Sequence, residues 1–382
     1  MIYETAEHTN TLGIENSSAR VLPANTVCLS RTASVGYVVM MGRAMSTSQD
    51  FVNWVCSDAL NPHFLKYVLM LERAALHMFA TGSVHQTIYF PEAKAFHICM
   101  PERREQDTIV DILGALDEKI DLNRGTNETL EGLARAIFKD WFVDFGPTRT
   151  KMEGRNPCLA SEIWAQFPDR LDYEGRPEGW EASTIGQEVD VVGGSTPSTK
   201  EFAYWNGSHY WATPKDLSSL KAPVLLSTER KISDAGLAQI GSGLLPVGAV
   251  LLSSRAPIGY LAVAAVPTAI NQGFIAMICR KRVSNVFVWF WTQSNMDVVL
   301  RNANGSTFQE ISKTNFRPIP LMVPSDLVRN AFDAVVGPMF ERIVANERES
   351  RILAATRDLL LPKLMSGEIR VKDAEKIAEA AL

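Results

Sequence analysis

The chain contains an internal repeat. Residues 22–37 read LPANTVCLSRTASVGY and residues 245–260 read LPVGAVLLSSRAPIGY, so Leu22 corresponds to Leu245 and Tyr37 to Tyr260. The match continues at this one offset, without a gap, as far as Pro101 and Pro324. An ungapped register of this length indicates a duplicated domain, and a duplication constrains the architecture more strongly than any local pattern does.

Each copy of the repeat continues into a heptad pattern. Apolar and amide residues recur at alternating spacings of four and three, which is typical of a coiled-coil seam. The sequence therefore predicts a long helix after each copy, the first running from about Glu105 to Phe142 and measuring roughly 55 Å at 1.5 Å per residue. The seam positions are Ile109, Leu113, Leu116, Ile120, Asn123, Asn127, Leu130, Ala134, Ile137 and Trp141 in the first helix, and Phe332, Val336, Met339, Ile343, Asn346, Ser350, Leu353, Arg357 and Leu360 in the second.

Asn123 and Asn346 occupy equivalent positions in the two seams. A buried amide at such a position fixes the register of a coiled coil at some cost in stability. The alternative is that the polar stretch DLNRGTNET is frayed or solvated, with Gly125 weakening the helix. Because the two seams match at one offset, we expect the two helices to pair antiparallel.

The globular copies combine strand and helix patterns. Short apolar runs such as GAVLLSS and GFIAMICRK, separated by Gly, Pro and Asn, predict strands, whereas VFVWFWTQSNMDVVLRNA has helical spacing. We therefore predict an α+β fold with two globular domains in tandem, each followed by a long helix. The predicted boundaries are a first domain at 1–101, a central helix at 102–150, a linker at 151–179, a second domain at 180–324, a distal helix at 325–370 and a tail at 371–382.

The two copies differ at their starts. The segment from about Trp180 to Pro223 precedes the register of the second copy and has no counterpart before Met1. An α+β domain without its first strands would expose its core and a sheet edge. We therefore expect either that the natural start lies upstream of Met1 or that the first domain is truncated.

Composition and charge exclude several classes of protein. The chain has neither an apolar stretch long enough to span a bilayer nor a signal peptide, so we expect a cytoplasmic protein without a membrane partner. Its five cysteines show no CxxC spacing, and neither a disulfide framework nor a zinc site is indicated. The net charge is −5, but residues 180–324 carry 12 basic and 9 acidic residues, whereas residues 102–150 carry 7 and 11. Different parts of the chain are thus suited to different partners.

The sequence lacks the usual signatures of catalysis. We find no phosphate-binding loop, dinucleotide fingerprint, HExxH or GxSxG motif. NPHF at 61–64 faintly resembles a base-binding tetrapeptide of methyltransferases, but its counterpart is SNVF, so a turn before a helix is favoured. FPDRLDYEG at 167–175 has the spaced acids of some nucleases without their lysine. We therefore predict a binding protein without catalytic residues or a metal site.

Several motifs resemble those of one family. GSTPST, YWNG, TPKDLS, LLSSRAPIG, FKDWF and KLMSGEIRV are similar to segments of the specificity subunits of type I restriction-modification enzymes, and the resemblance covers nearly all 382 residues. It implies that each globular domain is a target recognition domain, which reads one half of a bipartite site in double-stranded DNA, and that the helices set the spacing. It also implies a non-catalytic chain that binds no cofactor. Methyltransferase subunits would use S-adenosylmethionine, and restriction subunits would use ATP and Mg²⁺.

The candidate DNA contacts are polar or planar side chains in the loops of the two domains. Arginine suits guanine, glutamine suits adenine and lysine suits phosphate. The alternative is that Tyr204, Trp205 and Trp211 are core aromatics and that residues identical in both copies serve the shared fold. The candidates are Thr196, Ser198, Tyr204, Trp205, Thr213, Lys215, Asp216, Arg255, Gln272 and Gln309 in the second domain, with Arg31, Thr32, Ser83, His85 and Gln86 as first-domain counterparts.

Three other functions remain open from the sequence. The chain could be a coiled-coil scaffold with two protein-binding domains, or a truncated and inactive specificity subunit. It could also be a nuclease that uses the acids of the linker. DNA binding by the chain with its methyltransferase partner would exclude the scaffold, and metal-dependent cleavage by the isolated chain would indicate the nuclease.

Overall fold

The structure, a computed structural model, describes residues 1–32, 34–80, 86–305 and 309–382. The chain forms two compact units. Unit 1 contains Met1–Asp121 and Ser350–Leu382, and unit 2 contains Leu122–Glu349. Each unit therefore includes a segment of both long helices predicted from the heptads.

The helices and strands have the following bounds. In the first part of the chain they are α1 (Thr11–Glu15), β1 (Val27–Ser30), β2 (Val38–Met40), β3 (Phe51–Trp54), α2 (Pro62–Leu71), α3 (Arg73–Phe79), α4 (Phe90–Lys94), α5 (Arg103–Phe142), α6 (Gly146–Met152) and α7 (Ser161–Trp164). They continue as β4 (Glu181–Thr184), α8 (Ile185–Glu188), β5 (Asp190–Gly193), a 3₁₀ turn (Phe202–Tyr204), β6 (Trp205–Ala212), α9 (Pro214–Ser218), β7 (Val224–Leu225), β8 (Arg230–Ile232), α10 (Asp234–Leu237), β9 (Val250–Ser254), β10 (Ile258–Ala264), β11 (Thr268–Ile270), β12 (Phe274–Ile278), α11 (Asn285–Ser294), α12 (Met296–Arg301), α13 (Lys313–Phe316), β13 (Pro320–Val323), α14 (Asp326–Met365) and α15 (Val371–Glu379). The long helices α5 and α14 have 40 residues each, so each is about 60 Å long.

Unit 1 is built on a three-stranded sheet in which β1 pairs antiparallel with β2 on one side and β3 on the other. Helix α2 follows the sheet and begins after Asn61, whose side chain accepts hydrogen bonds from the backbone amides of His63 and Phe64. Such a cap satisfies amides that have no partner within the helix. The apolar face of α2, including Phe64, joins Leu113 of α5 in one buried cluster.

Unit 2 contains a five-stranded sheet in the order β5-β12-β9-β10-β7, in which only the β10–β7 pair is parallel. A second sheet has the order β11-β6-β8, and β4 pairs with β13. Helix α11 is buried from Val286 to Thr292 and packs within the main apolar cluster of the unit. An apolar helix of this kind fits between two layers of a core rather than on a surface.

The sequence repeat is also a structural repeat. The bounds of α2 and α11 are related by the repeat offset, as are those of α5 and α14. In both copies a serine hydroxyl, of Ser30 or Ser253, donates to the carbonyl four residues on and accepts a hydrogen bond from the backbone N–H seven residues on, at 3.0 and 2.8 Å. The turn that this serine closes needs a glycine at positive φ, and Gly36 and Gly259 have φ values of 88° and 118°.

The long helices pair antiparallel, as predicted. In unit 2 the ring of Trp141 lies 6.1 Å from that of Phe332, while Asn127, earlier in α5, contacts Asn346, later in α14. The predicted seam positions are buried or half-buried throughout. The predicted fold, α+β with two tandem domains and an antiparallel pair of helices, is confirmed.

Each seam amide forms a hydrogen bond to the opposite helix. The amide of Asn346 donates to Oδ1 of Asn127 at 2.8 Å, and the amide of Asn123 donates to the Glu349 carboxylate at 2.7 Å. Asn123, Asn127 and Asn346 are 4–5% exposed, and α5 continues through Gly125 without a break. The alternative of a frayed polar stretch is therefore wrong.

The predicted linker at 151–179 contributes to the core of unit 2. Phe167 is 3% exposed, and its ring lies 5.0 Å from that of Trp141. Trp180, just beyond the linker, lies 5.8 Å from Phe142. The residues between the first long helix and the second domain thus pack onto α5, although the predicted domain boundaries themselves stay predictions.

Candidate nucleic-acid interface

Five loops meet at one edge of unit 2, and backbone hydrogen bonds join them. The amide of Ser195 donates to Ile270 O at 3.1 Å, and that of Asn271 to Ala212 O at 3.0 Å. Ser254 links two further loops, because its amide donates to Gly273 O at 2.8 Å and its carbonyl accepts from Ile311 at 3.0 Å. We call these loops, residues 194–198, 213–216, 254–257, 271–273 and 309–311, the loop cluster.

Two local features of the sequence hold the loop cluster in place. A Cβ atom on Gly194 would lie 1.9 Å from Ile270 O, so only glycine permits this approach of two backbones. Thr213 and Asp216 form a capping box at the start of α9, with Pro214 at the first helical position. The motifs GSTPST and TPKDLS therefore fix the loops that carry the candidate contacts.

The structure brings most of the second-domain candidates together. Thr196 and Gln272 are hydrogen-bonded to each other across two loops at the surface. Arg255 forms a backbone bridge with Glu310, and their side chains lie 3.8 Å apart. Gln309, next to that bridge, is exposed. These residues therefore present arginine and glutamine side chains, the types that read guanine and adenine, at one surface.

Trp205 and Trp211 lie beneath that surface. They are 8% and 3% exposed, and their rings contact edge to face with centroids 5.0 Å apart. The Trp205 indole N–H donates to Ser198 O at 3.1 Å, and that of Trp211 donates to Ser195 O at 3.2 Å. Tyr204 is half-buried beside them in the same cluster. The tryptophans thus support the GSTPST loop from within, as the core-aromatic alternative predicts.

Two of the polar candidates already have partners within the chain. The Asp216 carboxylate accepts hydrogen bonds from the amide of Thr213 at 2.8 Å and that of Glu229 at 2.7 Å, so its oxygens serve the fold. Lys215 is exposed and lies 2.8 Å from the Glu229 carboxylate. The hydrogen bond to Glu229 raises the pKa of Lys215, which therefore remains charged at neutral pH.

Arg230 is a further residue of this surface and is absent from the candidates predicted from the sequence. Its guanidinium lies 3.5 Å from the centroid of the Trp205 ring and 5.6 Å from that of Trp211, while the residue as a whole is exposed. A stacked guanidinium is held in one plane, and it loses less freedom when it forms a bidentate contact. The available signal was the position of Arg230 two residues before the apolar Ile232, because residues two apart in a strand lie on the same face.

Three of the five loops of the loop cluster have described counterparts in unit 1, at residues 31–32, 48–50 and 86–88, and these carry Arg31, Thr32 and Gln86. Thr32 bridges to Thr87, which matches the bridge from Arg255 to Glu310 at the repeat offset. Arg31 is braced within the unit, because its Nε donates to Gln49 O at 2.7 Å and its guanidinium lies 4.9 Å from the Phe90 ring. Gln86 is exposed. The candidates Ser83 and His85 lie outside the described residues.

The acids proposed for a nuclease serve the local fold. Asp172 accepts the backbone N–H of Arg176 at 2.9 Å, and this hydrogen bond lowers the pKa of Asp172. Asp169 pairs with Lys151 at 2.9 Å. Over residues 1–32, 34–80, 86–305 and 309–382, no group of three or more His, Cys, Asp or Glu side chains is arranged to hold a metal ion. In the same ranges no helix combines the length and apolarity needed to cross a membrane.

Comparison with known proteins identifies the family. The profile of the type I restriction modification DNA specificity domain matches residues 1–132 and 177–327, which together make up more than two thirds of the chain. The chain therefore belongs to this family, and it is a specificity subunit of a type I restriction-modification system.

Individual relatives agree with this assignment. The chain is 24% identical to the MjaIX specificity subunit of Methanocaldococcus jannaschii, over 94% of this chain and 81% of the relative. It is also 24% identical to the HindI specificity subunit of Haemophilus influenzae, over 86% and 84%. Among solved structures, the S subunit from M. genitalium superposes with a TM-score of 0.54 at 15% identity, covering 90% of this chain and 84% of that one. This last likeness supports the fold alone.

Proposed function

We propose that the chain recognises a bipartite DNA site, with the loop cluster of unit 2 reading one half and the equivalent loops of unit 1 reading the other. The chain contributes recognition and no catalysis. Methyltransferase and restriction subunits bind to it in the cytoplasm and use S-adenosylmethionine, ATP and Mg²⁺, none of which this chain binds.

The observation that carries the proposal is the convergence of Arg255, Gln272 and Lys215 on one hydrogen-bonded frame. Base edges in the major groove are read by such arginine and glutamine side chains, and phosphates are bound by lysine. Loops tied to one another by backbone bonds lose little freedom on binding, so their side chains are presented in a fixed arrangement. Arg230, stacked on Trp205, extends the same surface with a second oriented guanidinium.

The equivalent loops of unit 1 support a two-part site. They have the same backbone bridge, but Thr32 and Thr87 stand where unit 2 has Arg255 and Glu310. Two DNA-binding surfaces that share a backbone arrangement but carry different side chains are suited to two half-sites of different sequence. The scaffold alternative gives no reason for arginine and glutamine at the surface of a rigid edge.

The proposal is tested by site selection. The chain, assembled with its methyltransferase subunits, is incubated with random duplex DNA, and bound sequences are recovered and sequenced. We expect a motif of two defined halves separated by an undefined spacer. Recovery of random sequence would favour the scaffold, and recovery of a single half would favour an inactive first domain.

Arg230 supplies the matched test of the surface. Arg230→Ala should weaken binding to the selected site by about 1 to 3 kcal/mol if it contacts a base edge. Arg230→Lys keeps the charge but loses the planar stack, so it should restore only part of the affinity. Equal affinity for all three chains would place the interface elsewhere.

A further inference from the structure

Four polar residues of unit 1 occupy positions whose repeat counterparts in unit 2 are apolar. Two of them lie on α2, one on α5 and one on α14. We call this set the polar tetrad. Its members are Lys66, Tyr67, Asp117 and Arg357, and the residues at the repeat-equivalent positions are Trp289, Phe290, Phe340 and Ala134.

The polar tetrad is centred on the carboxylate of Asp117. This carboxylate accepts hydrogen bonds from Lys66 Nζ at 2.7 Å, from the Tyr67 hydroxyl at 2.8 Å and from Arg357 Nη1 at 2.6 Å. Tyr67 is 1% exposed, and the Asp117 and Arg357 side chains are each 18% exposed. Burial alone would raise the pKa of Asp117, but the charge of Lys66 and the three hydrogen bonds lower it, so the group is ionised at neutral pH.

The equivalent place in unit 2 is filled by hydrocarbon. Ala134, Trp289, Phe290 and Phe340 all belong to the main buried cluster of that unit. The ring of Phe290 lies 4.6 Å from that of Trp289 and 5.9 Å from that of Phe138. The two copies therefore share the same helices, but the four equivalent side chains form polar contacts in unit 1 and apolar contacts in unit 2.

A duplicated pair of helices has a second way to associate. Because the seams of α5 and α14 are related by the repeat, α5 of one copy of the chain could pair antiparallel with α5 of another. In that pair Asp117 would face Ala134 of the other copy, since Ala134 is the counterpart of Arg357. In a pair of two α14 helices, Arg357 would face Phe340. The seam amides would not oppose the exchange, because Asn127 would face Asn123, the counterpart of Asn346.

We propose that the polar tetrad restricts α5 to pairing with α14. It thereby prevents two copies of the chain from associating through an α5–α5 pair or an α14–α14 pair, which we call like pairs. Either like pair removes the ion pair between the two helices: in the α5 pair Asp117 keeps Lys66 and Tyr67 but loses Arg357, and in the α14 pair Arg357 keeps only the exposed Asp358. Loss of a partly buried ion pair costs more than exchanging one apolar contact for another. A single asymmetric polar contact is thus sufficient to distinguish two nearly identical helices.

A single cysteine reports the like pair. In two paired α5 helices the twofold axis passes beside residue 126, so Thr126→Cys would face its own copy, whereas in the native pair, or in a reciprocal exchange of α5 and α14 between chains, position 126 faces α14. The full-length chain would carry Thr126→Cys as its only cysteine, with Cys28, Cys56 and Cys279 replaced by Ala and the exposed Cys99 and Cys158 replaced by Ser. It would be unfolded, refolded and oxidised, and the fraction of disulfide-linked dimer measured on a non-reducing gel.

The variant that removes the restriction is Asp117→Ala with Arg357→Ala. We expect the linked fraction to rise at least tenfold over that of the parent chain, with helix content by circular dichroism retained. Phe340→Ala is the matched control, because it removes a seam contact at the equivalent position without touching a charge, and it should leave the linked fraction unchanged.

A second double variant is used in case the chain with Asp117→Ala and Arg357→Ala does not refold. Asp117→Asn with Arg357→Met keeps the side-chain volumes and removes both charges, and the same rise is expected. No rise in a variant that retains its helix content would overturn the proposal. An equal rise with Phe340→Ala would also overturn it, because loss of stability alone would then explain the exchange.

Discussion

Unit 1 and unit 2 place different side chains on the same backbone. The amide of Ile88 donates to Arg31 O at 2.9 Å, and at the repeat-equivalent position the amide of Ile311 donates to Ser254 O at 3.0 Å. The residue after this bond is Thr32 in one unit and Arg255 in the other. The frame depends on backbone bonds that any side chain permits, so the residues offered to a ligand can change without disturbing it.

The units also differ in how the frame is completed. In unit 2 the outer edge of β12 is paired with β5. Its counterpart in unit 1, β3, pairs with β1, and among the residues described no strand covers its other edge. The helix layer differs too, with the polar tetrad in unit 1 and aromatic residues in unit 2. Substitutions at Asp117, Arg255 and Lys215, each with a matched variant, examine these differences.

The largest effect is expected where unit 1 uses charge and unit 2 uses aromatic rings. Asp117→Ala leaves Arg357 and Lys66 without their shared partner and should lower the free energy of unfolding of unit 1 by about 3 to 5 kcal/mol at pH 7. Hydrogen exchange of α2 and α5 amides measures the loss. Because the lowered pKa of Asp117 is a property of the folded state, the stability it supplies is present above pH of about 4 and is lost as the pH falls through the folded-state pKa.

Asp117→Asn separates the charge from the shape. The Asp117→Asn variant should be less stable than the parent chain at pH 7. The protection of its α2 and α5 amides from hydrogen exchange should change less between pH 7 and pH 3 than it does in the parent chain. Phe340→Leu, at the equivalent place in unit 2, should show no pH dependence of its own. Equal acid sensitivity of the parent and the Asn variant would show that other carboxylates govern unit 1.

A smaller effect is expected where the shared frame carries different side chains. Arg255→Ala should cost about 1 to 3 kcal/mol of binding to the selected site and relax the preference at one base pair. Thr32→Ala, its counterpart, should alter the other half of the site by less, because it removes one hydroxyl. Affinities on single-base variants measure both. Uniform loss with a lowered melting temperature would mean that Arg255 braces the turn before Pro257.

The smallest effect is expected at Lys215. If this lysine contacts a phosphate, Lys215→Ala should weaken cognate and random DNA alike and reduce the slope of log affinity against log salt by at most about one, because salt also weakens its pair with Glu229. Glu229→Gln, which frees Lys215 from its internal partner, should strengthen binding slightly. A change confined to one sequence would instead assign Lys215 to a base.

The sequence predicted those helices whose apolar residues recur at a regular spacing or that belong to the internal repeat. The seams of α5 and α14 were found because spacings of four and three persist along both helices, and the repeat placed α2 and α11 in register. Phe167 and Trp180 could not be assigned, since a stretch without periodicity gives no indication of the surface it packs against. The motif TPKD predicts the capping box at Thr213, in which Asp216 takes part, whereas contact of Asp216 with DNA stays a prediction.

The candidate surface was predicted less completely than the fold. Arg255, Gln272 and Thr196 were selected as polar loop residues, and the structure places them together. Arg230 was missed because its importance comes from two tryptophans that lie beneath it, a relation between strands that the linear sequence does not display. Whether each side chain contacts DNA stays a prediction.

The internal partners of the loop side chains have a consequence for discrimination. Arg255 has Glu310, Lys215 has Glu229 and Thr196 has Gln272 before any DNA arrives. Recognition is then an exchange of partners, and its gain is the difference between the new contact and the old one. On a mismatched site Arg255 can pair with Glu310 again. A wrong base then loses the contact with Arg255, but no charged group is left without a partner. Related sites would therefore be bound with graded affinities, and added salt, which loosens the old pairs as well as the new ones, would penalise binding less than the number of cations suggests.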